Sequence, residues 1–542
     1  MNININQIMF NEYIHKVIKN IQKNKFIIYI FVKNRILFGS MMCLYIYYFL
    51  KKKYSIFKYV NFNQKFKSFL TKLTLNIPFV KKRINEKIYE TKKSIKEDMN
   101  KPIQHLKYLK QLPINGLKSN SINEIINKYH LIDNTNSDIN GISGTIYKKD
   151  ENHTKLMNSI FSTYFKSNPL HPDVFPALRK MESEIVKMCL DLYNNKNGYG
   201  CLTSGGTESI MLACYAYKKY FNKRNPEIIV IDTAHAAFDK ACEYFDIKLI
   251  KVPVNEKDEP DLTYLKNSIN SQTICIVGSA PGFPHGIMDP TKTLSEIAYK
   301  HNIGFHIDCC LGGFILPFLE IIDEKSLFDF RLKGVTSVSA DLHKYGYCPK
   351  GISVLMYRDK KHFNSQFFVQ PNWSGGIYAT STMLGSRSGN IIALSYATML
   401  HYGYNGYKNY ALQISDTTIW LRDRIKSLQD VYVIGEPEVC VVGIGSKSLD
   451  IFEVNDNMKK KGWNLNALQF PSSIHLCVTH FHTNDKIKFK FLDDLEKSIS
   501  ETKKNIGNTK KGSSIYGTSQ KISHRGIIDN ISREYLNCLY EL

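Results

Sequence analysis

The chain has 542 residues, 43% of them hydrophobic and 12% aromatic, which is enough for a large core and two folded units beyond any anchor. Its formal charge of +23 resembles a nucleic-acid footprint, but residues 1–110 hold 23 Lys/Arg against 5 Asp/Glu, so a net of +18 sits there and +5 is left for the other 432 residues. A basic excess beside apolar sequence fits a membrane-surface flank, and neither zinc-finger spacing nor an aromatic–basic RNA signature argues for nucleic acid.

In chain order, a short tail (1–25) leads to two apolar runs, "FIIYIFV" (26–32) and "ILFGSMMCLYIYYFL" (36–50), the second followed at once by Lys51, Lys52 and Lys53. The second run falls short of the ~20 residues that span a bilayer. Snorkelling of Lys33 and Arg35 could extend it. We read 26–53 as a membrane anchor helix, with an interfacial amphipathic helix as the alternative. Six Lys/Arg at 16–35 balance six at 51–70, so charge leaves the orientation open. Residues 54–154 form a basic linker and an N-terminal helical arm.

From about 155 the pattern alternates. The stretches 227–235, 248–254, 273–281, 304–308 and 336–341 predict buried strands, and 207–221 and 289–302 predict helices between them. Strands separated by helix-length segments predict an α/β domain over 155–425 with a mostly parallel sheet. Strands at 438–446 and 474–479, with helices at 447–461 and 485–504, predict a small C-terminal α+β domain over 426–542. Twelve cysteines without a C-x-x-C suggest neither a disulfide framework nor a structural zinc site. Adjacent Cys309 and Cys310 point to opposite faces as strand neighbours do, so no metal is expected there.

Four motifs carry chemistry. "TSGGTESIMLAC" (203–214) is a Gly-rich turn (Gly205, Gly206) feeding a helix that opens at Thr207, an arrangement that binds anions through free N–H groups or is simply a cap. No lysine follows it as in a Walker A loop. His235 follows a strand in "DTAHAAF" and either stacks on a flat ring or packs ordinarily. Asp308 ends an apolar strand in "FHIDCCLGGF", where α/β sheets place ligands, or caps the next turn. Lys344 leaves a strand in "SADLHKYGYCPKG" (339–351), six residues before Lys350. A strand-end lysine, a carboxylate from another strand and a phosphate cradle are together what pyridoxal phosphate (PLP) requires.

These motifs, with "SNPLHPDVFP", "GFPHGIMDP", "FDFRLKGVTSVSADLHKYGYCPKG", "GGIYAT", "KGWNLNALQFP" and "SSIYG", resemble the sphingosine-1-phosphate lyase family of PLP-dependent decarboxylase-type enzymes, from about residue 77 onward. The resemblance implies the PLP-dependent transferase fold type I, with a PLP-binding large domain over 155–425. It implies Lys344 as the Schiff-base lysine, Asp308 as partner of the pyridine nitrogen and His235 as the stacking residue. Gly206, Thr207 and His343 would contact the cofactor phosphate. Ser374, Gly375 and Gly376 would reach the cofactor of a second subunit in a homodimer. Tyr147, Asn168, His171 and Lys350 would bind the substrate head group or assist catalysis. The implied reaction cleaves a phosphorylated sphingoid base to a fatty aldehyde and phosphoethanolamine, at the endoplasmic reticulum membrane with the catalytic part in the cytosol. An amino-acid decarboxylase of the same fold and an inactive membrane scaffold are the competing readings. The chain departs from the family at Cys309, expected as a small residue under the ring, and at Leu342 and Cys348.

Overall fold

The structure is a computed structural model and describes residues 78–106, 109–135, 139–319, 327–504 and 525–541. The anchor expected at 26–53 and the "SSIYG" motif lie outside these. Among the described residues no helix is long and apolar enough to cross a membrane. The chain divides into two compact units, one of which is Asn123–Gly517. In the other, helix α1 (Pro78–Asn100) packs against the C-terminal helix Arg525–Cys538, with Lys92 Nζ 2.7 Å from Glu534 and 3.4 Å from Glu541. Such exposed pairs are worth little. The C-terminal helix belongs to this unit, although the small domain expected over 426–542 included it.

The larger unit follows α2 (Ser119–Thr135) with α3 (Glu151–Tyr164) and α4 (Pro176–Leu192), then β1 (Tyr199–Thr203), α5 (Gly206–Phe221), β2 (Glu227–Ile231), α6 (Ala237–Tyr244), β3 (Lys248–Val252) and α7 (Leu262–Ser268). It continues through β4 (Thr273–Ser279), α8 (Thr291–His301), β5 (Gly304–Asp308), β6 (Ser337–Ala340), β7 (Ser353–Tyr357) and α9 (Lys360–Asn364). The sheet order is β1-β7-β6-β5-β4-β2-β3, parallel except that β7 runs against both neighbours. The expected mostly parallel sheet is therefore present. Its inner strands read as continuous apolar runs because both faces are covered. On β2, Ile228 and Val230 pack with Ile210, Leu212 and Tyr217 of α5, whereas Ile229 and Ile231 pack with Ile185 of α4 and Leu294 of α8.

An exposed hairpin follows, β8 (Phe368–Trp373) and β9 (Gly376–Thr380), before the long helix α10 (Gly389–Lys426), which breaks at Gly403 where φ is 58°. A left-handed φ there suits glycine. Strands β10 (Tyr432–Val433) and β11 (Val441–Gly445), helix α11 (Ile451–Lys460), β12 (Asn466–Leu468), β13 (Ser473–Cys477) and α12 (Asp485–Lys504) complete the unit. The second sheet is antiparallel, in the order β10-β11-β13-β12. The C-terminal helix above is α13.

Gly304 opens β5 under α5. A Cβ there would lie 2.3 Å from Cε1 of Tyr217, whose buried ring is tethered through its hydroxyl to Thr336 and Ser337, each at 2.6 Å. The ring cannot swing aside. Gly304→Ala is expected to destabilise the protein by about 1–3 kcal/mol through overpacking, measured as a lower denaturation midpoint with an unchanged m-value.

Candidate active site

Parallel strands bring their C-terminal ends to one edge, and that edge carries the site. β5 and β6 pair with Asp308 opposite Ser339, so Asp308 lies beside the strand that delivers Asp341, His343 and Lys344. The segment 341–352 connects β6 to antiparallel β7 and folds into a tight turn. Lys344 N–H donates to Asp341 O at 3.3 Å, Tyr347 N–H to Lys344 O at 3.0 Å and Cys348 N–H to Leu342 O at 3.1 Å. Buried Tyr345 fixes the turn to the exit of β13 by donating to Val478 O at 2.6 Å.

Lys344 Nζ is 2.9 Å from Asp341 Oδ2, and His343 Nε2 is 3.6 Å from the same oxygen. Burial alone would lower the Lys344 pKa, but the charge and hydrogen bond of Asp341, together with Cys310 and Tyr147, push the ammonium well above the ordinary lysine range. Burial alone would raise Asp341, but Lys344 and His343 hold it below the usual carboxylate range. Sequence reasoning sought the lysine's carboxylate on another strand and missed Asp341, which lies three residues away on the same turn.

Lys350 Nζ donates to His343 O at 3.2 Å and lies 4.6 Å from the ring centre of buried Tyr147. Burial of its ammonium end and repulsion by Lys344 push its pKa down. Tyr147 packs edge-on against Tyr345 at 4.7 Å, and burial pushes its phenol far up. The segment bearing Tyr147 is anchored by a pair that the sequence did not single out. Lys148 Nζ is 2.7 Å from Asp150 and sits over the rings of Tyr402 and Tyr410 at 5.0 and 4.7 Å.

The Gly-rich turn enters from β1. Gly205 caps α5 with φ 145°, a conformation open to glycine, and supplies no side-chain cap to the helix N–H groups. A Cβ on Gly206 would lie 2.8 Å from both Asp341 Oδ1 and Cys310 Sγ, and one on Gly205 would lie 3.5 Å from His343. The turn thus closes on the lysine's own neighbours. Thr207 is exposed in the first turn of α5. Glu208 accepts N–H bonds from Ser204 at 2.6 Å and Met383 at 3.0 Å, tying the segment after β9 to this helix end.

The remaining expected residues are spread around this cluster. Asp308 is buried and accepts Cys310 N–H at 2.9 Å. His235 is exposed beyond β2, its Nδ1 accepting Ala237 N–H at 3.1 Å and its ring 6.4 Å from that of Phe283. The side chain of Asn168 bonds Ser386, Leu170 and Arg387, and His171 accepts backbone N–H groups from Val174 and Phe175 through its carbonyl. These contacts tie Asn168 to Ser386 and Arg387 just before α10, while His171 N–H donates to the Asn168 carbonyl at 3.2 Å, so the two stand on one turn. Ser374 and Gly375 form the exposed tip of the β8–β9 hairpin, and Gly376 begins β9.

The expectation for Cys309 needs correction. Cys309 is fully buried and couples to Tyr193, whereas Cys310 lies by Gly206, bonds Ser339 Oγ at 3.3 Å and feels the charges of Asp341 and Lys344. Asp308 ends β5, so strand alternation stops before these cysteines and cannot orient them. Leu342 is fully buried in the core, and Cys348 packs toward Ser395 of α10. Both departures are packing positions.

The residues fit PLP: a lysine able to condense with an aldehyde, a side-chain-free helix N-terminus for a phosphate, and a strand-end carboxylate meet at one sheet edge. Residues 151–445 match the pyridoxal-dependent decarboxylase conserved domain. The chain is 40% identical to mouse sphingosine-1-phosphate lyase 1 over 484 residues, covering 88% of this chain and 85% of that protein. It is 38% identical to the sphingosine-1-phosphate lyase of Drosophila melanogaster, covering 86% and 88%. Among solved structures it superposes on sphingosine-1-phosphate lyase of Burkholderia pseudomallei with TM-score 0.71 and 33% identity, over 75% of this chain and 96% of that one. Glutamate decarboxylase of Lactobacillus brevis, with TM-score 0.65 and 20% identity over 74% and 96%, shares the fold. The chain belongs to the sphingosine-1-phosphate lyase family, within the pyridoxal-dependent decarboxylase fold.

Proposed function

We propose that this protein is a PLP-dependent aldehyde-lyase that cleaves the C2–C3 bond of sphingosine 1-phosphate and related phosphorylated long-chain bases, giving a fatty aldehyde and phosphoethanolamine. The observation that carries this reading is the meeting of Asp341, Cys310 and His343 with the Gly205–Gly206 turn at the sheet edge, with Lys344 on Asp341, in a chain so similar to the named lyases.

When bound, the cofactor supplies an electron-withdrawing ring that allows a carbon–carbon bond next to an amine to break. The chain's own residues supply the rest. Lys344 is the amine that bonds the cofactor, and Asp308 is the carboxylate for its ring nitrogen. His235 is the flat partner, and Gly206, Thr207 and His343 hold the phosphate. Lys350 sits on Tyr147 and is steadied by the His343 carbonyl. A lysine whose pKa is lowered is suited to take the proton of the substrate hydroxyl. Asn168 and His171 take the head group.

The reading extends to assembly and location. A homodimer is supported by the exposed β8–β9 hairpin, where Phe368 is 50% exposed, Trp373 55% and Ile377 78%, with Ser374–Gly376 at its tip. An anchor at 26–53 would hold the site near a membrane-borne substrate. The cytosolic face of the endoplasmic reticulum is supported by "NWS" (372–374), since a glycan on Asn372 would crowd that hairpin.

Detergent-extracted protein incubated with a phosphorylated sphingoid base is expected to release a long-chain aldehyde. Carbon dioxide from an amino acid, with no aldehyde, would establish the decarboxylase instead. Borohydride should attach the cofactor to Lys344, and Lys344→Ala should leave nothing to attach. Lys350→Ala should keep borohydride-trapped cofactor while lowering aldehyde release by about 100-fold or more, the scale of a lost proton-transfer group. Loss of trapped cofactor in that variant would place Lys350 in cofactor binding.

A further inference from the structure

Asp341 follows β6 and is 3% exposed. Its Oδ2 touches Lys344, yet its Oδ1 has no hydrogen-bond partner in good geometry, since the nearby Ser353 hydroxyl, which helps hold the Asp341 pKa down, donates to the Ala340 carbonyl at 3.0 Å. A buried acceptor left unmatched costs about 1–3 kcal/mol, and more when charged. A neutral side chain could fill the same space without that cost. What the carboxylate adds is its charge, and that charge faces the lysine.

The other groups around Lys344 do not do the same. His343 and Lys350, from the same turn, bring neutral or positive charge. Cys310 beyond β5, Cys440 before β11 and Cys477 at the end of β13 are thiols that burial keeps protonated. Tyr147 is a phenol pushed far up by burial. Asp308 ends the neighbouring strand with Oδ1 committed to the Cys310 N–H. Asp341 is the anion in hydrogen-bond contact with Nζ.

We propose that Asp341 is the positioning residue of Lys344: it holds the ammonium form of the side chain beside the Gly205–Gly206 turn whenever the lysine is not bonded to the cofactor, and so sets the pH at which that lysine becomes a nucleophile. The inference rests on the reading of Lys344 as the cofactor lysine. A lysine condenses with an aldehyde as the neutral amine, so Nζ must first give a proton to solvent, and the condensation then releases one water. The carboxylate opposes that first loss. With the lysine free of the cofactor, the carboxylate would hold its nitrogen as the ammonium and so keep it from competing with a substrate amine. The sign follows from the pair. Burial lowers the Lys344 pKa, while Asp341 raises it. Removing the carboxylate's charge therefore moves lysine reactivity to lower pH.

The full chain, stripped of cofactor with hydroxylamine, is treated with formaldehyde and cyanoborohydride across a pH series. Methylation of Lys344 is followed by peptide mass spectrometry against exposed Lys223. Wild-type Lys344 should be modified at higher pH than Lys223. In Asp341→Asn it should be modified about tenfold faster at the same pH, as each unit of pKa is tenfold in neutral amine, and Asp341→Glu should restore the wild-type profile. An unchanged profile in a folded Asn variant overturns the proposal. So does wild-type Lys344 reacting with or before Lys223, a comparison that stands if the variant fails to fold. Borohydride trapping is read separately. Cofactor trapped on another residue sinks the reading of Lys344 and the proposal with it, whereas trapping on Lys344 without the pH shift sinks the proposal alone.

Discussion

One constraint organises the catalytic unit: a lysine whose side chain is 22% exposed and a buried aspartate meet after the end of β6, each holding the other in its charged form. Removing one partner of a buried pair leaves an uncompensated charge, which is far more costly than losing an exposed bridge. The turn around them is correspondingly fixed from several sides. Tyr345 ties it to the small sheet through Val478, and Tyr407 of α10 donates to the Gly346 carbonyl at 2.9 Å. Lys350 closes it on the His343 carbonyl. A site on a strand-end turn gains precision only when such second contacts lock it.

The same geometry explains why the small sheet belongs to the site. Ser143 Oγ accepts Cys477 N–H at 2.8 Å and Asn466 Nδ2–H at 2.9 Å, and His475 Nδ1 contacts the Pro284 carbonyl at 2.7 Å. These bonds join the segment leading to Tyr147 with β12, β13 and the loop after β4. Asp258 and His285, both buried, form a second polar contact in this region, and His285 Nε2 lies 3.5 Å from Ser473 Oγ. Tyr147 and Lys350 thus rest on a scaffold drawn from both sheets. A buried network of this kind holds position because each broken bond leaves a polar atom stranded.

Much of the fold was legible because its strands are buried on both faces. Runs such as "EIIVI" and "TICIVGS" have no alternation to obscure them, and β2, β4 and β5 lie within the stretches read from the sequence. β1 escaped because it carries a glycine mid-strand and only its last three residues are buried, whereas β7 escaped although all five of its residues are buried. The β8–β9 hairpin escaped because nearly all of it faces solvent, so no apolar periodicity marks it. For the site, strand-end chemistry was legible at Lys344 and Asp308. Asp341 was not, because an i,i+3 partner matters only once the turn is known to bring it back onto the lysine.

The correction from Cys309 to Cys310 has the same origin and a chemical consequence. Alternation orients side chains only inside a strand, and β5 stops at Asp308. The residue facing Lys344 and Gly206 is therefore the second after the aspartate. Its thiol is held protonated by burial and by the nearby carboxylates Asp308 and Asp341. It thus presents a small, weakly polar wall rather than a competing nucleophile. In a corner whose proposed chemistry depends on one amine meeting an aldehyde, a neutral thiol would leave Lys344 as the group that reacts, with Asp341 proposed as the group that decides when.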